Sequence, residues 1–181
     1  MFKAFPEIKI IHLIRNPIDL VYSWLMKDYG KTTLNSNVDL FKIGTAPSIR
    51  GGKGPLPWYT HSIINEYENL NQTDRIIISI HTLTNMCNKS YVKLPKHKQE
   101  RIMFAKYEKV VEDTHNTIDE ISKFIGRKKS KYMDEIIKKE DCPNFIDVEN
   151  REKKKRVLKE KASKKYIKLL ENMEKDYLLM D

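Results

Sequence analysis

Hydrophobic positions in this chain fall into short continuous runs and helical stripes, and the first run is the most telling. Ile8-Lys9-Ile10-Ile11-His12-Leu13-Ile14 is brief, rich in β-branched residues and nearly unbroken in apolar character. That pattern predicts a strand covered on both faces inside a parallel sheet, with His12 as a core histidine. Arg15-Asn16-Pro17 ends the run. Pro17, with a fixed φ and no N–H, suits the first helical position, with Asn16 placed to cap and Asp19 to complement the positive helix end. In the helix expected next, Ile18, Val21 and Leu25, with Tyr22 and Trp24 alongside, recur at helical spacing. Asp19, Ser23 and Lys27 lie at i, i+4 and i+8 on a more polar flank.

Further along, Trp58 to Asn69 and Asp74 to Asn88 read as helices, the second carrying Ile76, Ile77, Ile80, Leu83 and Cys87 on one stripe. Asn71-Gln72-Thr73-Asp74 supplies the break and the cap between them. Ile102 to Ala105 reads as a second central strand ended by Tyr107-Glu108. Ile118, Ile121, Phe124 and Ile125 form a helix face closed by Gly126 as a C-cap. Residues 31–57 read mainly as a long loop, of a length often found in substrate lids or disordered segments, and its glycine cluster Arg50 to Pro55 reads as a mobile loop. Residues 151–181 read as a basic C-terminal helix with Val157, Leu158, Tyr166, Leu169, Leu170, Met173 and Tyr177 available for packing. No internal repeat is evident. The alternation predicts a single α/β domain with three layers around a parallel sheet.

Composition agrees with a globular chain: 181 residues, 40% apolar and 33% charged, suffice for one domain with a sizeable core. No apolar stretch approaches about 20 residues and the N-terminus lacks a signal-peptide pattern, so a cytoplasmic location is expected, with an anchor upstream in a longer parent left open. Cys87 and Cys142 have no metal-type spacing and are too few for a disulfide framework, which suits a reducing compartment. Two glycosylation sequons, Asn71-Gln72-Thr73 and Asn88-Lys89-Ser90, matter only in a secretory parent. The net charge of +9 is concentrated near Arg151-Glu152-Lys153-Lys154-Lys155-Arg156, either a solvated helix face or a contact for an anionic partner.

Candidate chemistry begins at Arg15. In open α/β sheets ligands bind beyond the carboxyl ends of strands, where this arginine stands. Its guanidinium is a planar donor fork that fits phosphate, and Ser23, six residues past Pro17, lies about 9 Å along the helix. Spacing alone leaves two readings open: the pair shares one phosphate, or Arg15 binds a carboxylate at the sheet edge while Ser23 bonds back to a helical carbonyl.

At these residues the chain resembles the sulfotransferases that use 3′-phosphoadenosine 5′-phosphosulfate, whose second nucleotide motif is strand, Arg-Asn/Asp-Pro, helix, Ser. Arg15, Asn16, Pro17 and Ser23 match in order and spacing. Pro57-Trp58-Tyr59-Thr60-His61 resembles the family's Trp-x-x-His helix, and Arg101 to Glu108 with Ile121 to Gly126 resembles its strand, Tyr-Glu, helix, Phe-Leu-Gly segment. The resemblance implies a fold related to P-loop nucleotide-binding proteins, the phosphosulfate nucleotide as sulfate donor, and residues 31–57 as a loop on the acceptor side. It also implies that Arg15 and Ser23 hold the 3′-phosphate, with Arg151, Lys153 and Lys154 as further nucleotide contacts, although the family's Arg-Lys-Gly is absent. Trp58 and His61 are expected to pack rather than to catalyse, and no metal is implied.

Two of the family's parts are missing. No Pro-Lys-Ser/Thr-Gly-type phosphate loop precedes Lys9, and the usual catalytic histidine would also lie before that strand, so no catalytic residue is assigned. The expectation is therefore the C-terminal portion of a longer sulfotransferase, N-terminally truncated, acting on a hydroxyl-bearing (or amine) acceptor: glycan, small molecule, lipid or protein tyrosine. The alternative is a non-catalytic homologue or a basic module binding nucleotides or nucleic acid, of which nucleic acid is the less favoured ligand.

Overall fold

The computed structural model describes residue 2 and residues 4–30, 48–51 and 54–180. Two compact units emerge, one formed by Met1–Asn16 with Ser90–Val148 and the other by Pro17–Lys89 with Glu149–Asp181.

The first unit is built on a pair of parallel strands, β1 (Ile10–Ile14) and β4 (Ile102–Lys106), in the register Ile10↔Ile102 through Ile14↔Lys106. Both runs predicted as central strands are therefore neighbours in one α/β sheet. The sheet is less covered than the apolar pattern predicts, for Leu13 is 56% exposed and Ile11 and Phe104 are exposed as well. The described residues thus cover the strands alternately where a continuous apolar run is suited to two covered faces. His12 is half-buried and packs tilted against the Phe104 ring, with centroids 5.4 Å apart.

Two short helices, α4 (Lys96–Gln99) and α5 (Tyr107–Glu112), bracket β4, and α6 (Thr114–Ile125) follows. Gly126 ends α6 with φ 73°, and the N–H of Arg127 reaches back to the Ser122 carbonyl at 2.9 Å, the six-to-one bond of a Schellman stop. The predicted C-cap is the observed one. Lys9 donates to the Phe124 carbonyl at the same helix end, and its ammonium stands 5.5 Å from the Phe124 ring. A helix of about two turns, α7 (Met133–Lys139), buries none of its residues.

The second unit holds the hydrophobic core. Its helix α1 (Pro17–Met26) begins at the proline chosen from sequence and contributes Ile18, Val21 and Leu25. Helix α3 (Gln72–Val92) adds Ile76, Ile77 and Ile80, but Cys87 on the same predicted stripe is exposed. The remaining members are Leu158 from α8 (Val148–Lys161) and Tyr166 and Leu170 from α9 (Lys164–Leu178). Helix α3 starts one residue after Asn71, whose side-chain oxygen accepts the Asp74 N–H at 2.9 Å. This satisfies a helical donor that would otherwise lack a partner.

Three predicted elements change. The basic C-terminal helix is two helices, because Ser163 is extended at ψ 154° and its N–H is taken by Asp74 at 2.9 Å. The stretch from Trp58 is a 3-10 helix, Trp58–Ile63, closed by a single turn, α2 (Ile64–Tyr67), with the Thr60 hydroxyl bonded to the Pro57 carbonyl. The end of the predicted long loop is a hairpin in which β2 (Ser48–Gly51) pairs antiparallel with β3 (Gly54–Pro57). Gly51 and Gly54 of its glycine cluster face each other at the ends of the two strands, while residues 31–47, 52 and 53 are outside the described residues.

Gly30 is the glycine the sequence does not announce. It is buried at φ 75°, and a Cβ there would lie 2.9 Å from the Gln72 carbonyl oxygen. Its own carbonyl accepts from Arg75, which also donates to the Tyr67 and Glu68 carbonyls. Among the described residues no helix is long and apolar enough to cross a membrane.

Candidate functional site: a guanidinium at a strand end and a half-buried cation pair

Arg15 directly follows β1, and Tyr107 directly follows β4, so the shared register delivers both to the carboxyl end of the sheet in the first unit. The guanidinium carbon lies 4.6 Å from the centre of the Tyr107 ring. Stacking of this kind holds the planar group while leaving its in-plane donors available. Arg15 Nε is buried and has no hydrogen-bond partner among the described residues. The carboxylate partner of the competing reading is not found among the described residues, and the neighbouring Glu108 accepts the backbone N–H of Asn16 at 3.0 Å. Tyr107 and Glu108 thus act architecturally, as the sequence suggests. Burial of an unused donor is costly unless something binds it.

Ser23 lies on α1 in the second unit, one helical turn beyond Asp19. It is half-buried, and its hydroxyl makes no hydrogen bond to a described residue, so the back-bond to a helical carbonyl is not formed. Asp19 does more than complement the helix end. Its carboxylate receives Arg151 Nε at 2.9 Å and Lys154 Nζ at 2.7 Å, with side chains 7%, 15% and 19% exposed in that order. Arg151 and Lys154 are three apart on α8, which places them on one helix face. The Lys154 ammonium also stands 5.9 Å from the Tyr22 ring centre. Burial by itself raises the Asp19 pKa, but the hydrogen bonds from Lys154 and Arg151 outweigh it and hold the carboxyl below its ordinary value.

Of the sequence-derived residues, the second unit therefore brings together Arg151 and Lys154 around Asp19, on the helix that carries Ser23. Lys153 is exposed and takes no part in that cluster. Three of the other nine cations of the C-terminal helices are paired in place: Lys155 with Glu174 at 2.7 Å, Lys159 with Glu171 at 3.1 Å, and Lys165 with Glu66. Trp58 packs its ring edge-on to Tyr59, with centroids 5.9 Å apart, but neither it nor His61 is buried. Trp58 is 42% exposed and His61 is exposed, whereas Tyr59, Thr60 and Tyr67 are the buried residues of that stretch.

A second basic feature lies in the first unit, where Lys123, Arg127, Lys128 and Lys129 join Asp119, Ser122 and Gly126 around an open cavity of about 580 Å³ at the end of α6. Lys129 is paired with Asp119 at 2.9 Å. Among the described residues no group of three or more His, Cys, Asp or Glu side chains is arranged to hold a metal ion.

Residues 3–175 match a family model described as a sulfotransferase domain. No curated protein and no solved structure matches the chain. Together with the strand, Arg-Asn-Pro, helix, Ser sequence now seen in place as β1 and α1, that match over almost the whole length means that the chain belongs to the sulfotransferase family, whose reaction is sulfuryl transfer to a hydroxyl or amine acceptor.

Proposed function

We propose that the chain binds 3′-phosphoadenosine 5′-phosphosulfate, with Arg15 and Ser23 holding the 3′-phosphate and Arg151 and Lys154 adding positive charge. The observation that carries this reading is the buried Arg15 Nε, unpartnered among the described residues and stacked on Tyr107 at the end of a parallel strand. A phosphate oxygen is the acceptor such a donor lacks, and a charge-assisted bond of this type is short and strong. The Ser23 hydroxyl supports the reading because it is likewise uncommitted to the described residues. When bound, the nucleotide supplies an activated sulfuryl group. Its transfer forms a bond from the acceptor oxygen or nitrogen to sulfur, breaks the bond from sulfur to the phosphate oxygen, and releases the acceptor proton.

The test is equilibrium titration with adenosine 3′,5′-bisphosphate. Arg15→Ala is expected to weaken binding by about ten- to a hundredfold, the equivalent of losing roughly 1.5–3 kcal/mol. Unchanged affinity in a folded Arg15→Ala protein would remove Arg15 from the site.

A further inference from the structure

We infer that Asp19 is a positioning residue for the phosphate site: it fixes Arg151 and Lys154 as an aligned cation pair beside α1, one helical turn from Ser23. The inference rests on the nucleotide-binding reading above and adds to it a residue of the opposite sign to the ligand.

The geometry is specific. One carboxylate uses its two oxygens on two different cations, Oδ2 to Arg151 Nε and Oδ1 to Lys154 Nζ, at 2.9 and 2.7 Å. Both cations come from the same face of α8, so the carboxylate also relieves the repulsion between them. Both side chains are long and rotamer-rich, and in water they would sample many conformations before meeting an anion. Held by Asp19 they lose that freedom when the protein folds, so a phosphate arriving later meets a preorganised pair. A lysine ammonium has three donors and Asp19 occupies one of those on Lys154. Ser23 is on the same helix at i+4 from Asp19, so the hydroxyl and the cations are set by one rigid element. Tyr22 supplies a ring beside Lys154 and limits where that ammonium can turn.

A purely structural ion cluster would also be buried and short, and the closing experiment separates the two roles. Calorimetric titrations with adenosine 3′,5′-bisphosphate and with adenosine 5′-monophosphate give the preference for a 3′-phosphate. A structural role affects both ligands alike, whereas a positioning role changes their ratio. Wild-type protein is expected to prefer the bisphosphate, and Arg15→Ala to lose that preference. Asp19→Asn is expected to cut the preference by about tenfold, the lower end for loss of a charge-assisted contact, and Asp19→Glu to restore part of it. A folded Asp19→Asn protein with an unchanged or increased preference overturns the inference while leaving the Arg15 reading intact. If wild-type protein shows no preference, or Arg15→Ala keeps it, the nucleotide reading fails and the inference falls with it. If Asp19→Asn does not fold, Lys154→Gln decides, because it leaves Asp19 paired with Arg151; its preference must fall, and an unchanged ratio counts against the inference.

Discussion

At the scale of single residues, the legible part of the site is the part written locally. Arg15, Pro17 and Ser23 sit within nine positions of one another, and strand end, helix start and helical spacing can all be read from that stretch. Asp19 was readable only as a helix-end carboxylate, because its partners lie 132 and 135 positions away on a stretch that reads as uniformly basic. Nothing in a local pattern distinguishes Arg151 and Lys154 from the exposed Lys153 between them. Charge burial makes the difference measurable. The folded-state pKa of Asp19 is depressed, so its contribution to stability is present above the unfolded value, about 3.9, and is lost as pH falls through the folded value. Asp19→Asn should therefore lower unfolding free energy at pH 7 by about 1–3 kcal/mol, and the gap from wild type should close as pH drops below about 4. Denaturant melts at pH 7 and pH 3 check this, and a gap that stays constant with pH would show that the carboxylate charge is not what stabilises the contact.

Among elements, the sequence reads well where a helix has its own punctuation and poorly where a distant group supplies it. Pro17, Asn71 and Gly126 are punctuation marks, and α1, α3 and α6 begin or end beside them. The split between α8 and α9 is different, because it depends on Asp74 taking the Ser163 N–H across 89 positions, and no Pro or Gly marks it. The 3-10 helix at Trp58 is a related case: helical spacing predicts a helix, but the first turns wind more tightly, with Thr60 tied to Pro57. Asn71 is the point where punctuation and long-range order meet, since it caps α3 and also donates to Asp74 Oδ2 at 2.8 Å. Asn71→Ala should cost about 1 kcal/mol of stability, while Asn71→Ser, which retains a capping oxygen, should cost less. Urea unfolding midpoints with an unchanged slope would show this, and a neutral Asn71→Ala would mean that the cap is dispensable to α3.

For the molecule as a whole, α/β composition was legible because periodicity changes between runs, whereas the distribution of the core was not. Pattern reading assigns β1 and β4 to a covered centre, yet the fully buried aliphatic side chains, Ile18, Val21, Ile77 and Leu158, belong to the helical unit. In the first unit the buried hydrophobic residues are Ala105 and Val111, and the two-stranded sheet has exposed Leu13 and Phe104. A two-stranded sheet with so few buried side chains is marginal by itself, while a cluster of nine buried side chains from four helices opens only with the loss of much apolar contact. Stability should accordingly be uneven. Native-state hydrogen exchange is expected to protect amides of α1 and the first half of α3 most strongly, to the level of global unfolding, and to exchange those of β1 and β4 through smaller openings. Equal protection in both units would mean that the chain opens as one cooperative body and that the sheet draws stability from contacts its own burial does not reveal. The outcome bears on the proposed nucleotide binding as well, because Arg15 directly follows that strand. If β1 opens more readily than α1, adding adenosine 3′,5′-bisphosphate should slow exchange in β1 far more than in α1, since a ligand that binds only the closed strand end stabilises that end by mass action.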